Sequence, residues 1–160
     1  MAAKALPEVI VPADKATFWM DRWGNWCNRH GRFEHRKIIA YFNAAIARDE
    51  QGYFVSQING EVSEKVYFRY EETALFVFDV QLKDGMTLVL NTGRQVDLDP
   101  GMLFICNDHL YAREGGELIK FNEASMLKIS RFFEHAGDEF YLTYKGQRAA
   151  IPVMDDLSSV

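Results

Sequence analysis

YFVSQINGEVSEKVYFRY, residues 53–70, is the stretch of sequence that indicates the fold most directly. It contains two runs rich in aromatic and β-branched side chains, residues 53–58 and 61–70, on either side of Asn59-Gly60. An Asn-Gly pair readily takes the positive φ angles of the two-residue turns that match the twist of a β-hairpin. The stretch therefore predicts two antiparallel strands joined by a tight turn.

An amphipathic helix is predicted before this hairpin, over residues 34–48. Apolar side chains recur there at helical spacing and form one face, made of Ile38, Ile39, Phe42, Ala45 and Ile46. Gly52 follows the acidic stretch Asp49-Glu50-Gln51, and a glycine that takes positive φ is a common helix end. With a short strand near Trp26, this region predicts a strand–helix–hairpin unit.

A second unit of the same kind is predicted near the end of the chain. Asn122 is a good N-cap for a helix over residues 123–136, which Gly137 follows. A hairpin over residues 140–144 and 148–153 comes next, through Lys145-Gly146. Further strands are predicted between the two helices, over residues 74–82, 86–90, 96–98, 102–106, 110–113 and 117–121. We interpret the repeated order as an internal duplication; the alternative is a coincidence between two common arrangements.

These patterns predict an α+β, β-rich fold made of duplicated strand–helix–hairpin units. We expect an N-terminal tail over residues 1–15, a first repeat unit over residues 16–70, a second β-rich unit over residues 71–153 and a tail over residues 154–160. Two similar halves that face each other would leave a groove between them.

Composition and charge exclude several classes of protein. The net charge of −5 gives no general attraction to extended nucleic acid or to anionic lipid. No apolar run approaches the roughly 20 residues that a membrane-spanning helix needs, and residues 1–14 lack the apolar core of a signal peptide. Two cysteines among 160 residues provide no disulfide framework. We therefore expect a cytoplasmic protein that does not associate with membranes.

One basic run stands out against this acidic background. It contains the cationic residues Arg22, Arg29, Arg32, Arg36 and Lys37, with His30 and His35 between them and Glu34 as the single acidic residue. A solvated turn and first helical turn explain most runs of this kind. A patch that binds an anion is the alternative interpretation, and the sequence leaves both open.

The sequence contains no familiar catalytic or phosphate-loop motif: G-x-S-x-G, G-x-x-x-x-G-K-[ST], G-x-G-x-x-G and H-E-x-x-H are all absent. The pattern C-N-x-H occurs twice, from Cys27 to His30 and from Cys106 to His109. Two Cys and two His can complete a zinc site. Residues i and i+3 of a regular strand point to opposite faces, however, so each pair chelates a metal only at a sharp turn. We expect no metal, no cofactor and no catalytic residue.

A ligand site is suggested by polar side chains that interrupt apolar strands near turns. The predicted ligand-binding residues are the polar contacts Arg36, Lys65, Asn91 and His109 and the aromatic walls Trp26 and Tyr53. Arg36 opens the first predicted helix, where unpaired N–H groups and the helix dipole favour an anion. For Asn91 the alternative is a turn, Asn91-Thr92-Gly93, in which side chains bind their own backbone.

The order of these signals resembles a family of small, mostly uncharacterised bacterial proteins, the domain of unknown function 1285 (DUF1285) family, over residues 18–153. The stretches that carry the resemblance are Gly24-Asn25-Trp26, Gly31-Arg32-Phe33, the helix opened by Arg36, Asp49-Glu50-Gln51-Gly52-Tyr53-Phe54, Glu64-Lys65-Val66, Leu75-Phe76-Val77, Leu90-Asn91-Thr92-Gly93 in altered order, and Arg131-Phe132-Phe133. The chain departs from the family pattern before Glu64, where a proline is missing, and over residues 120–125, where two arginines are missing.

The resemblance implies a core duplicated as two domains, the C-terminal one similar to a pleckstrin-homology-like fold. It also implies a nucleotide-like ligand between the domains and a role in signal transduction. Together with the residues above, it predicts a non-enzymatic regulatory protein whose partner is a small anionic ligand. The alternatives are a protein-interaction module that offers a strand edge or a cleft to a protein partner, and an enzyme of unrecognised type.

Overall fold

The predicted hairpin forms, but its two-residue turn is Gly60-Glu61 and not Asn59-Gly60, because Asn59 still pairs with Val62 as the last residue of its strand. Gly52–Asn59 pairs antiparallel with Val62–Tyr67, and Gly60 takes a φ of 63° in the turn. The structure is a computed structural model that describes residues 5–159. It divides into a first unit, Met1–Ala74, and a second unit, Leu75–Val160. Each unit is rich in strands and has one α-helix among its described residues, which confirms the α+β, β-rich class.

The described part of the first unit has seven strands and one α-helix. In chain order they are β1 Glu8–Val11, β2 Phe18–Met20, β3 Trp26–Asn28, β4 Gly31–Arg32, α1 Arg36–Ala44, β5 Ile46–Asp49, β6 Gly52–Asn59 and β7 Val62–Tyr67. Two sheets result. The larger has the strand order β1-β7-β6-β5, with β1 parallel to β7, and the smaller is the antiparallel sheet β2-β3-β4.

Aromatic side chains fill the core of the first unit. Trp26 is 1% exposed and contacts the rings of Phe42 and Phe68 edge to face, with ring centroids 5.3 and 4.7 Å away. Its indole Nε1 donates a hydrogen bond of 2.7 Å to Oδ1 of the buried Asn43 on α1. A buried indole N–H needs such a partner because an unpaired polar group in the core destabilises the fold. This contact fixes α1 on the β2-β3-β4 sheet.

The described part of the second unit has ten strands and one α-helix. In chain order they are β8 Phe76–Leu82, β9 Met86–Leu90, β10 Gln95–Asp97, β11 Leu103–Cys106, β12 His109–Glu114, β13 Glu117–Phe121, α2 Glu123–Ser130, β14 Phe133–Ala136, β15 Glu139–Tyr144, β16 Gln147–Ile151 and β17 Val153–Met154. The larger sheet has the order β10-β9-β8-β13-β12-β11-β17, and β14-β15-β16 form a separate antiparallel sheet.

Helix α2 is attached to the larger sheet of the second unit through one buried serine. The hydroxyl of Ser125 donates a hydrogen bond of 2.7 Å to the carbonyl of Val77 on β8. Oδ1 of Asn122 accepts the N–H of Ser125 at 2.8 Å, so the predicted N-cap is confirmed. Ile129, with no exposed surface, faces the interior one helical turn later. None of the helices within residues 5–159 has the length and apolar character that crossing a bilayer requires.

Both helices end earlier than predicted, and in both cases a strand takes over. Residues 46–49 pair with β6 from Ile46 opposite Val55 to Asp49 opposite Gly52. Residues 133–136 pair with β15 in the same way. The helical spacing of Ile46 and Phe133 predicted longer helices, but strand pairing with the following hairpin outweighs a weak helix propensity. Each helix is therefore followed by three consecutive antiparallel strands.

The two segments that were predicted as tails contribute residues to β-strands. Strand β1, within the predicted N-terminal tail, lies parallel to β7 with Val9 opposite Glu64. Met154, in the predicted C-terminal tail, belongs to β17, which lies parallel to β11. Parallel partners lie far away in sequence, so no local turn signal announces them. Residues 1–4 and Val160 lie outside the described residues.

Candidate functional site

A concavity of about 650 Å³ in the first unit brings together side chains of two kinds. Rings of Phe18, Trp19, Phe33 and Phe42 form its walls, and the polar side chains of Asn28, Arg29, His30 and Gln57 reach it, beside Ala16 and Thr17. Its volume lies within the range of about 300–1,000 Å³ that is typical of small-molecule sites.

Arg29 and His30 lie on the turn between β3 and β4. Asn28 pairs with Gly31 across this turn, and Oδ1 of Asn28 accepts the N–H of His30 at 2.9 Å. Nε of Arg29 donates a hydrogen bond of 3.2 Å to Nε2 of His30, so the guanidinium and the imidazole lie side by side. Gly31 has a φ of 111°, a conformation that side chains disfavour and that lets the chain return sharply. The turn therefore presents Arg29 and His30 together, at the solvent-exposed end of the sheet.

The aromatic walls are held by the core beneath them. Phe42 on α1 meets Phe18 and Phe33 edge to face, with ring centroids 5.0 and 5.3 Å away. Phe33 is fixed by its backbone N–H, which donates to the carbonyl of Trp26 at 2.8 Å. Trp19 on β2 is half-buried, and the guanidinium of Arg69 lies 5.7 Å from the centre of its ring. Rings held in this way lose little freedom when a flat ligand packs against them.

A second depression, of about 440 Å³, adjoins the first and shares Asn28, His30 and Phe33 with it. It adds Arg32, His35 and Ile38, together with one carboxylate, Glu34. We call the two depressions together the aromatic–basic surface. Guanidinium and imidazole groups bind phosphates and carboxylates, and aromatic faces stack on planar rings. The surface can therefore hold an anion and a flat ring at the same time.

The aromatic walls predicted from the sequence lie in the core. Trp26 is 1% exposed and supports Phe42, which itself lines the concavity. Tyr53 on β6 is also buried, with its hydroxyl 3.5 Å from that of Thr73 and its ring 5.0 Å from that of Tyr70. Arg36 is exposed at the start of α1, next to His35, and is not among the residues that line the two depressions.

Lys65 belongs to a separate polar cluster on the larger sheet of the first unit. Its Nζ lies 2.6 Å from Oδ2 of Asp49, which also accepts a hydrogen bond of 2.5 Å from the hydroxyl of Tyr67. These hydrogen bonds, from Lys65 first and then from Tyr67, lower the pKa of Asp49 to about 2. The bond to Asp49 raises the pKa of both Lys65 and Tyr67. The positive charge of Lys65 is thus already balanced by Asp49.

In the second unit, Asn91 and His109 occupy different surroundings. Asn91 is buried, and its Oδ1 accepts the N–H of Phe76 at 3.1 Å, while Arg94 N–H bonds Oγ1 of Thr92 at 3.3 Å. His109 is half-buried at the start of β12 and lines a concavity of about 470 Å³ whose walls are mostly apolar. The predicted contacts are therefore distributed over several local environments.

The two cysteines are buried and do not form a disulfide with each other. Burial, with the nearby carboxylate of Asp21 adding to it, raises the pKa of the Cys27 thiol above its usual value. No group of three or more His, Cys, Asp or Glu side chains that could hold a metal ion occurs within the part of the chain that the structure describes.

Only some of the residues that form the aromatic–basic surface could be predicted from the sequence. Arg29, Arg32, His30 and His35 belong to the basic run for which anion binding was one of two interpretations. Trp19, Phe33 and Phe42 were missed as walls. Phe33 stands inside the basic run, and this interleaving of an aromatic residue with cations is the signal that could have revealed it.

No protein-family model and no curated protein matches the sequence. Two solved structures do match. A DUF1285 family protein from Silicibacter pomeroyi DSS-3 is 13% identical, with a TM-score of 0.59, over 97% of this chain and 86% of that one. A DUF1285 family protein from Shewanella baltica OS155 is 17% identical, with a TM-score of 0.50, over 72% of this chain and 91% of that one. The resemblance to DUF1285 proteins is therefore confirmed, and at these identities it is a likeness of fold.

Proposed function

We propose that the protein is a non-enzymatic regulatory protein that binds a small anionic, nucleotide-like ligand on the aromatic–basic surface of its first unit. One observation carries the proposal: the Arg29-His30 turn shares a concavity of about 650 Å³ with the rings of Trp19, Phe33 and Phe42. A nucleotide combines a flat base with a phosphate, and this surface offers a partner to each part. The role in signal transduction and the cytoplasmic location stay predictions.

The geometry favours a ligand with both parts over an isolated anion. Arg29 and His30 are exposed, and water weakens the attraction of exposed charges for an anion. An inorganic phosphate would therefore bind weakly. A base that packs on Phe33 and Phe42 adds apolar burial, which salt and water do not screen. Affinity should consequently require the ring and the phosphate in one molecule.

A calorimetric titration of the full chain tests this proposal. The probes are ADP, AMP, adenosine and inorganic phosphate, with the wild-type protein and three variants. Arg29→Ala should weaken the binding of the phosphate-containing nucleotides by about 10-fold or more, since a hydrogen bond to a charged group contributes about 1.5–3 kcal/mol. Arg131→Ala removes an exposed arginine of the second unit and serves as the matched control. Arg36→Ala, in the same titration, tests the contact predicted from the helix start.

The proposal requires the nucleotides to bind more tightly than either adenosine or phosphate, and Arg29→Ala to leave the binding of adenosine unchanged. Equal affinity for adenosine and ADP would contradict the anion-binding part. Equal losses in Arg29→Ala and Arg131→Ala would show a general charge effect. Absence of binding by every probe of the panel would overturn the nucleotide-like class.

We also propose that the two units arose by duplication. The support is the shared order in which a helix is followed by three consecutive antiparallel strands: α1 with β5, β6 and β7, and α2 with β14, β15 and β16. Experimental coordinates in which these two segments superpose strand by strand would support duplication, and a different handedness of the two would contradict it. The similarity of the second unit to pleckstrin-homology-like folds stays a prediction.

A further inference from the structure

The second unit has an apolar depression that the proposed function does not use. It has a volume of about 470 Å³ and lies between α2, the β11–β12 turn and the β14–β15 pair. Met126 and Leu127 contribute from α2, Ile105 from β11, Phe133 from β14 and Phe140 from β15. The ring of His135 stacks on Phe140, with centroids 4.7 Å apart, and so supports one wall of the depression.

Two apolar side chains on this side of the unit are unusually exposed. Leu127 is 72% exposed, although it lines the depression. Val153 on β17 is 57% exposed and lies directly opposite Ile105 in the parallel β11–β17 pair, so both side chains point to the same face of the sheet. The apolar surface therefore continues beyond the depression, across Ile105 to the edge of the sheet.

This shape favours a polypeptide over a small molecule. A compound that fills a depression of about 470 Å³ would leave a side chain that protrudes as far as Leu127 largely in water. A segment of another protein can cover the depression, Leu127 and Val153 together. Apolar patches surrounded by polar residues are typical of protein-interaction sites, and methionine and aromatic residues are common in them.

The charges around the patch indicate what kind of segment fits. Asp108 and Glu123 line the depression, and of the described residues that line it none is Lys or Arg. Lys128, on the same helix, is ion-paired with Asp79 at 3.0 Å. Residues 75–160 contain thirteen acidic and eight basic residues, a net charge of −5, whereas residues 1–74 contain ten of each. The electrostatic field of the second unit therefore attracts cations.

We propose that this apolar–acidic surface, formed by Ile105, Met126, Leu127, Phe133 and Phe140 with Asp108 and Glu123 at its rim, binds a segment of a partner protein. The segment carries bulky apolar side chains flanked by lysine or arginine. Its apolar residues fill the depression and cover Leu127. Its cations approach Asp108 and Glu123, which fixes its direction and rejects acidic segments of the same apolar pattern.

Two matched peptides test this inference on the full chain. Both are short and amphipathic with the same leucine positions; the polar positions are lysine in one and glutamate in the other. Binding is followed by fluorescence anisotropy, and the contacted residues by backbone amide shifts in NMR spectra. The lysine peptide should bind at least about 10-fold more tightly than the glutamate peptide, which is about 1.4 kcal/mol, and should shift amides of residues 105–110 and 123–140.

Variants make the result specific to the patch. Leu127→Ser should weaken binding of the lysine peptide about 10-fold, because the apolar contact between Leu127 and the peptide is lost. Ile58→Ser is the matched control, since Ile58 is also 72% exposed but lies in the first unit. Asp108→Asn combined with Glu123→Gln should reduce the preference for the lysine peptide. All of these positions are exposed, so the variants should fold, and far-ultraviolet circular dichroism confirms it.

Several outcomes would overturn the inference. Equal binding of both peptides, or no binding of either, would contradict a partner that is selected by its positive charge. Equal losses in Leu127→Ser and Ile58→Ser, or amide shifts outside the patch, would place the peptide elsewhere. Self-association of the free protein that Leu127→Ser abolishes would identify a second copy as the occupant. Because these experiments use no nucleotide, failure of the nucleotide proposal leaves their interpretation unchanged.

Discussion

The aromatic–basic surface of the first unit lies near α1 and the apolar–acidic surface of the second unit lies near α2, and the two surfaces have opposite chemistry. Next to α1, Arg29, His30 and His35 stand among aromatic rings. Next to α2, Asp108 and Glu123 border aliphatic and aromatic side chains. Each helix is followed by three antiparallel strands, so the element order alone does not decide what each surface binds. The difference lies in the side chains that the turns and helix faces carry.

The largest effect is expected from breaking the aromatic core of the first unit. Trp26→Ala removes a side chain that is 1% exposed, contacts Phe42 and Phe68 and bonds Asn43. We expect the free energy of unfolding of this unit to fall by about 3–5 kcal/mol, measured by urea denaturation. Trp19→Ala, at a half-buried position, is the control and should lower the free energy of unfolding clearly less. Equal costs for the two variants would mean that Trp26 does not hold the walls in place.

The two surfaces can be compared most directly with variants that each weaken binding at one surface only. Arg29→Ala should weaken nucleotide binding about 10-fold and leave binding of the lysine peptide unchanged, while Leu127→Ser should do the reverse. Calorimetry with ADP and anisotropy with the peptide measure both effects on the same preparations. If either variant reduces both affinities equally, the two surfaces do not have separate specificities.

Salt should weaken binding at the two surfaces to different extents, and this effect should be smaller than those of the variants. Raising the ionic strength from about 0.01 to 1 M shortens the Debye length from about 30 to 3 Å, so contacts between exposed charges weaken. Nucleotide binding at Arg29 and His30 should therefore lose more affinity than peptide binding, in which burial of Leu127 is a large part. Titrations at several salt concentrations give the two slopes. A steeper slope for the peptide would indicate that its binding is mainly electrostatic.

The smallest effect concerns one carboxylate in each unit. The pKa of Asp49 is lowered to about 2, first by the hydrogen bond from Lys65 and then by that from Tyr67. The pKa of Asp79 is also lowered, but there a single side chain, that of Lys128, donates the hydrogen bond. A group whose pKa is depressed by folding stabilises the protein above its unfolded pKa, and that contribution is lost as the pH falls towards the folded pKa. For Asp49 this loss should occur between about pH 4 and pH 2.

NMR titration of the side-chain carboxyl groups measures both aspartates directly. We expect Asp49 to titrate at lower pH than Asp79, and the difference to shrink in Lys65→Met, which removes the ammonium group and leaves the bond from Tyr67. An unchanged Asp49 pKa in Lys65→Met would show that the ion pair does not hold the carboxylate. The pair is exposed enough that its contribution to stability stays small.

Local signals in the sequence predicted most of the hairpins and the start of α2, whereas α1 begins at Arg36, two residues later than predicted. Asn59-Gly60 and Asn122 act through their own side chains and backbone, so a single sequence contains the information. The ends of the helices were wrong, because Ile46 and Phe133 fit a helical face and a strand equally well and their strand partners decide. Strand β1 was missed because its partner β7 is more than 50 residues away.

The candidate site was less predictable than the fold, since a site depends on which side chains the fold brings together. Trp26 and Tyr53 were predicted as walls from their residue type, but their burial places them beneath the surface. Lys65 was predicted as a polar contact to the ligand, but Asp49, sixteen residues earlier, balances its charge. Arg29 and His30 were considered in a basic run, and His30 also in a C-N-x-H pattern, but sequence alone could not place Trp19 and Phe42 next to them.

The central claim is that the aromatic–basic surface is a nucleotide-like ligand site, and amide NMR spectra of the full chain titrated with ADP test it most directly. We expect saturable shifts at residues 16–19 and 28–38, together with small or no shifts at residues 105–140. The same titration of Arg29→Ala should need about 10-fold more ADP for the same shifts. Shifts confined to residues 105–140, or no saturable shift at all, would contradict the claim.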